Sequence, residues 1–137
     1  MSEVMKYIDA EMSRFREELF EFLRIPSVSA RSEHAGDTRD AAAWVADKLK
    51  GAGLSSHVID TPGHPVVLGE WRGAGPKAPT LLVYGHYDVQ PPEPLDLWVS
   101  PAFEPTLRDG NLFARGASDD KGQLFLHIKA LEAQLKG

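Results

Sequence analysis

The run Leu81-Leu82-Val83-Tyr84 is apolar without interruption and passes directly into Gly85-His86-Tyr87-Asp88. Such a run, with no polar alternation, suits a strand covered on both faces, so Thr80 to Tyr84 is predicted to be the central strand of a sheet. The next segment, Gln90 to Pro105, holds five prolines and Trp98, which exclude regular structure there. A tight turn, Arg108-Asp109-Gly110-Asn111, precedes Leu112-Phe113-Ala114, and the chain then reaches Ala117-Ser118-Asp119-Asp120-Lys121-Gly122 at the mouth of a helix. A strand end and the following strand-to-helix junction are where α/β proteins keep their sites. The predicted fold class is therefore α/β, a mixed β-sheet flanked by helices.

The remaining elements follow from periodicity. Ile8, Met12, Phe15, Leu19, Phe22 and Leu23 recur at helical spacing, which predicts an amphipathic helix over residues 3 to 24, ended by Ile25-Pro26. Ser27 to Gly36 is small and polar and reads as a surface loop. Asp37 or Thr38 then caps a second helix with Ala41, Trp44, Val45 and Leu49 inward, stopped by Gly51-Ala52-Gly53. Ser56 to Asp60 and Val66 to Trp71 form a hairpin across Thr61-Pro62-Gly63-His64-Pro65. Lys121 to Lys136 forms the last helix, with Leu124, Ile128, Leu131 and Leu135 on one face. There is no internal repeat or low-complexity tract.

With 137 residues the chain has the length of one domain, and its net charge of −5 with dispersed basic residues argues against a nucleic-acid partner. No apolar run approaches the roughly 18 residues of a membrane span, and Met1-Ser2-Glu3-Val4 is acidic where a secretory leader is basic, so no membrane association and a cytoplasmic location are expected. The chain contains no cysteine, so disulfides, thiolate metal sites and a cysteine nucleophile are excluded. Any metal is left to imidazole and carboxylate.

Those are the donors that zinc, cobalt or manganese accept in the absence of thiolate, and a ligating histidine commonly gives its second ring N–H to a carboxylate. In an extended strand end, residues two apart project to one side, so Asp88 can lie beside His86 and fix its tautomer. A bare His-x-Asp tripeptide is more often a surface coincidence, and Asp119 and Asp120 at a first helical turn can be simple caps. Two adjacent acids followed by Lys-Gly after the Arg115-Gly116-Ala117 loop look more like a ligand held by constrained backbone. A single carboxylate can also bridge two metal ions about 3.5 to 4 Å apart. His34, His57, His64 and His127 lack acids in a ligand-like context, Trp98, Phe103 and Arg115 order the long loop, and Glu17-Glu18 reads as a solvated helix face.

The ordered set Gly85-His86-Tyr87-Asp88-Val89-Gln90-Pro91, Trp98, Pro101-Ala102-Phe103-Glu104-Pro105, Arg108-Asp109-Gly110 and Ala114-Arg115-Gly116-Ala117-Ser118-Asp119-Asp120-Lys121-Gly122 resembles one family. It is that of the co-catalytic zinc metallopeptidases: carnosinases and other dipeptidases, acetylornithine deacetylases, succinyl-diaminopimelate desuccinylases and glutamate carboxypeptidases. The resemblance is close from about Leu81 to Leu131 and looser before it, and the Asp-Val-Gln-Pro and Asp-Asp-Lys-Gly-Gln wording leans toward the dipeptidases. It implies that His86 ligates one metal, that Asp88 is the catalytic-site residue orienting His86, and that Asp119 bridges two metals, with a cis peptide leading to Asp120. It also implies two zinc ions in the intact enzyme, cobalt or manganese being possible, and a homodimer.

The family's later glutamate pair, further acidic ligand and late histidine have no counterpart here. Residues 1–137 are therefore expected to be the amino-terminal part of the catalytic domain, inactive alone, from an enzyme that cleaves the amide bond of dipeptides or small peptides. Two alternatives stand beside this. One is a deacylase of small N-acyl amino acids using the same metal centre; the other is a non-catalytic binding remnant.

Overall fold

The computed structural model describes residues 2–137, and among them the chain forms three α-helices and two short hairpins. Helix α1 (Glu3–Arg24) starts at Ser2, whose hydroxyl accepts the Met5 N–H at 3.3 Å, and ends at Ile25, immediately before Pro26. Phe15, Phe22 and Leu23 are its buried stripe. Met12, predicted on that face, is exposed. The seam toward the last helix is taken instead by Arg14 and Glu18, which pair with Glu132 and Lys129.

The second helix starts earlier than the Asp37 or Thr38 cap predicted from sequence. A 3-10 turn over Ser32–His34 runs straight into α2 (Ala35–Ala52). His34 Nδ1 meets the Asp37 carboxylate at 2.7 Å and Thr38 Oγ1 donates to the His34 carbonyl at 2.9 Å, so these side chains close the first turn from within. Gly53, at φ 104, ends α2 in the left-handed conformation that glycine adopts without penalty.

Strands β1 (Ser55–Ile59) and β2 (Val66–Glu70) pair antiparallel with Ser55 opposite Glu70, as the hairpin pattern predicts. The hairpin lies on α2: a Cβ on Gly69 would come 2.9 Å from Leu49 Cδ1, so the leucine side chain packs directly over the glycine. Strands β3 (Thr106–Arg108) and β4 (Asn111–Phe113) are joined through Asp109 (φ 50) and Gly110 (φ 78), the paired positive φ of a two-residue hairpin. Helix α3 (Lys121–Lys136) completes the chain.

The core lies where the helices meet. Phe22, Ala41, Val45 and Ile128 are its centre, and Trp44 stacks on Phe22 with ring centroids 4.4 Å apart and planes 4° apart. On α3 the buried residues are Lys121, Phe125, Ile128, Lys129, Glu132 and Ala133, so charged groups share the face read as a leucine stripe. Glu18 departs from the solvated role read for Glu17-Glu18. It receives Arg14 Nη1 at 2.9 Å and Lys48 Nζ at 3.1 Å and pairs with Lys129, while Glu17 stays exposed.

The apolar run at residues 80–84 is extended but joins no ladder among the described residues. Leu81, Leu82 and Tyr84 are 85% exposed or more. The paired strands among the described residues form two separate two-stranded hairpins, and neither adds the run as a third strand. No helix among the described residues is long and apolar enough to cross a membrane.

Candidate metal centre

His86 and Asp88 follow the extended run, and the loop after α1 fixes where they sit. Residues 27–29 lie alongside residues 87–89: Val89 N–H donates to the Ser27 carbonyl at 2.9 Å, and Ser27 Oγ donates to the Tyr87 carbonyl at 2.7 Å. The Tyr87 hydroxyl donates to the Pro65 carbonyl in the first hairpin. Backbone around His86 is thus tied to two other parts of the chain.

The imidazole is held from both ends. Nδ1 lies 3.0 Å from Asp88 Oδ1 and 3.1 Å from the Asp88 carbonyl, two acceptors that place the proton on Nδ1. Nε2 faces Asp119 Oδ1 at 3.1 Å. The second aspartate supports the site from behind, with Asp120 Oδ2 accepting the His86 backbone N–H at 2.9 Å. Partial burial disfavours charge on His86, but the Asp88 carbonyl and carboxylate outweigh it and Asp120 adds to them, so its pKa lies above the ordinary histidine value.

The acidic knot is shaped by close packing. The Asp119-Asp120 peptide bond is cis, the geometry the resemblance implies. Gly116 has φ 86, and a Cβ there would lie 2.8 Å from Val89 Cγ1; one on Gly122 would lie 2.1 Å from the Ala117 carbonyl oxygen. Lys121, next after the aspartates, is fully buried. Its Nζ donates to the Phe22 carbonyl at 2.8 Å and the Ile25 carbonyl at 2.6 Å, satisfying the carboxyl end of α1, and lies 4.8 Å over the Phe22 ring. Burial pulls its pKa down to about 7, against partial support from Asp37 and Asp88.

The proline-rich loop packs beside this knot. Arg115 Nη2 donates to the Pro91 carbonyl at 3.2 Å and its guanidinium lies 5.4 Å over the Trp98 ring, while Trp98 Nε1 donates to the Pro92 carbonyl at 2.7 Å. Trp98 and Arg115 therefore order the loop, as read from sequence. His64 is not idle, since its Nε2 lies 2.8 Å from the Ser29 carbonyl.

The three residues singled out from sequence, His86, Asp88 and Asp119, are brought together. Among the described residues no group of three or more histidines or acids converges as a ligand set. Yet the donors present suit a cation. With its proton on Nδ1, the ring turns a bare lone pair toward a carboxylate oxygen, and two acceptors 3.1 Å apart need a proton or a cation between them. Sequence reasoning missed Ser29, whose Oγ donates to Asp88 Oδ2, and the reach of Lys121 back to α1. The only local signal was the Ser27-x-Ser29 alternation after Pro26.

The chain thus places a histidine, its carboxylate partner and a facing aspartate between the apolar run and the mouth of α3. Residues 82–137 match Peptidase family M20/M25/M40. The chain is 37% identical over 124 residues to a cysteinylglycine-S-conjugate dipeptidase of Corynebacterium striatum, covering 86% of this chain and 26% of that protein. It is 43% identical over 88 residues to a succinyl-diaminopimelate desuccinylase of Azoarcus sp. (strain BH72), covering 64% and 22%. Among solved structures it is similar to human carnosine dipeptidase 1, with 33% identity and a TM-score of 0.87, covering 95% of this chain and 30% of that one. The chain spans about a quarter of the length of the curated relatives it matches.

Proposed function

We propose that residues 1–137 are the amino-terminal part of a metallopeptidase catalytic domain and contribute half of a two-zinc centre that hydrolyses the amide bond of dipeptides. The observation that carries this is the His86 Nε2 to Asp119 Oδ1 approach at 3.1 Å, with Nδ1 held by Asp88. In this reading His86 and Asp119 hold metal, Asp119 being the bridging carboxylate, and Asp88 keeps the ring in the Nδ1–H tautomer so that Nε2 is free to donate its lone pair. Asp120 accepts the His86 N–H and fixes the backbone from which the ring projects. Bound zinc would polarise the scissile carbonyl and bring the pKa of a bound water to about 7. Among the described residues no third donor converges beside His86 and Asp119.

A deacylase acting on N-acyl amino acids is the second reading, favoured by the 43% identity to the desuccinylase. The decisive experiment has two parts. Zinc titrated into the protein should bind, and His86→Ala and Asp119→Ala should each remove that binding; equal affinity in His86→Ala refutes the metal role. The complete zinc-loaded enzyme is then assayed on unmodified dipeptides and on N-succinyl and N-acetyl amino acids. Cleavage of dipeptides alone supports the first reading, and cleavage of the acylated substrates alone replaces it with the second.

A further inference from the structure

We infer that Ser29 is a positioning residue of the metal centre, acting through Asp88 on the orientation of His86; this rests on the metal reading above. Ser29 Oγ donates to Asp88 Oδ2, while Asp88 Oδ1 faces His86 Nδ1 at 3.0 Å and His86 Nε2 faces Asp119 Oδ1 at 3.1 Å. The four side chains form one line from the loop after α1 to the acidic knot. A carboxylate is otherwise free to turn about its last torsion, which is broad and roughly two-fold, and a turned carboxylate offers His86 a different oxygen at a different angle. A hydroxyl fixed on Oδ2 leaves Oδ1 as the oxygen for the ring.

Ser29 can do this because its own backbone is fixed. Ser27 and Val28 are both fully buried, and the Arg31 N–H donates to the Val28 carbonyl at 3.1 Å, closing a turn through Ser29. Ser27 makes the two backbone ties to residues 87 and 89, and His64 Nε2 holds the Ser29 carbonyl at 2.8 Å. The loop is therefore fastened without the Ser29 hydroxyl, whose one side-chain partner is Asp88. A tether explains Ser27; it does not explain Ser29.

The test compares wild type, Ser29→Ala, Ser29→Thr and His86→Ala. Zinc affinity is measured by competition with a chromophoric chelator, and melting temperature is measured without metal. The histidine ring nitrogens are followed by 15N NMR. Loss of a hydrogen-bonding partner behind a metal ligand weakens metal binding by about 10 to 100-fold, and one link further removed, Ser29→Ala should weaken zinc binding about 10-fold. Its metal-free melting temperature should stay within a few degrees of wild type, the His86 Nδ1–H signal should shift, and Ser29→Thr, which keeps the hydroxyl, should restore affinity. Unchanged affinity in Ser29→Ala overturns the inference, and so does a loss that follows metal-free stability and is not restored by threonine. If His86→Ala also binds zinc like wild type, the metal reading itself falls, which separates the two failures.

Discussion

Replacing Glu132 by glutamine tests the ionic seam between α1 and α3. Glu132 is 3% exposed, and its Oε1 receives Arg14 Nη2 at 2.5 Å and the Tyr7 hydroxyl at 2.9 Å while Oε2 receives Lys129 Nζ at 2.7 Å. Burial alone would raise the carboxyl pKa, but the hydrogen bonds from Lys129, Arg14 and Tyr7 outweigh it and bring it from 4.5 to about 2. At 1.36 kcal/mol for each pKa unit, that depression corresponds to a stabilisation on the order of 3 kcal/mol. Because the folded pKa is the lower one, the stabilisation is complete above pH 4.5 and is lost as pH falls through about 2. Glu132→Gln keeps the shape, removes the charge and leaves the buried Lys129 with Glu18 alone. At pH 7 it should lose about 3 kcal/mol, close to 10 °C in melting temperature for a chain of this size. Circular-dichroism melts from pH 7 to pH 2 should show the two proteins converging at the acid end. A variant within about 0.5 kcal/mol of wild type at pH 7, the ordinary range for surface changes, refutes the argument. A gap that does not change with pH refutes it equally.

Other perturbations read different parts of the molecule. Gly122→Ala puts a Cβ 2.1 Å from the Ala117 carbonyl oxygen, so backbone on both sides of Asp119-Asp120 must move; a loss of about 3 kcal/mol in urea unfolding is expected, with weaker zinc binding. Asp88→Asn keeps the volume but replaces a charged acceptor for His86 Nδ1, and should weaken zinc binding by about 10 to 100-fold in the chelator competition. Trp98→Leu removes the hydrogen bond to Pro92 and the ring under Arg115, a loss of about 1 to 2 kcal/mol seen as faster proteolysis within residues 91–105. Zinc at 100 times its dissociation constant should stabilise the wild-type fold by about 2.7 kcal/mol, and His86→Ala should not respond.

The parts of this structure written in local pattern were legible from sequence. Phe15, Phe22 and Leu23 recur at helical spacing, Pro26 stops α1, and Asp109-Gly110 demands positive φ, so α1 and the β3–β4 turn fall where predicted. His86, Asp88 and Asp119 are brought together because each sits at a junction whose residues are recognisable without knowing the partner. What escaped depends on partners far along the chain. Ser29 meets Asp88 across 59 residues and Lys121 meets Phe22 across 99, and neither contact leaves a periodic trace. Glu18 looked solvated because helical spacing gives its face but not the Lys129 of α3 that pairs with it. The run at residues 80–84 has a strand's composition, but a ladder needs a neighbouring strand, and none pairs with it among the described residues.

The Lys121 side chain closes the carboxyl end of α1 from the first residue of α3, so that end is complete only with α3 in place. Regions joined in this way open together, and their amides exchange with solvent through a shared opening reaction. Amide protons in the last turn of α1 should accordingly exchange as slowly as those of α3 rather than fray as a free helix end does. The acidic knot between them is then carried within a single cooperative unit that includes the helix farthest from it in sequence.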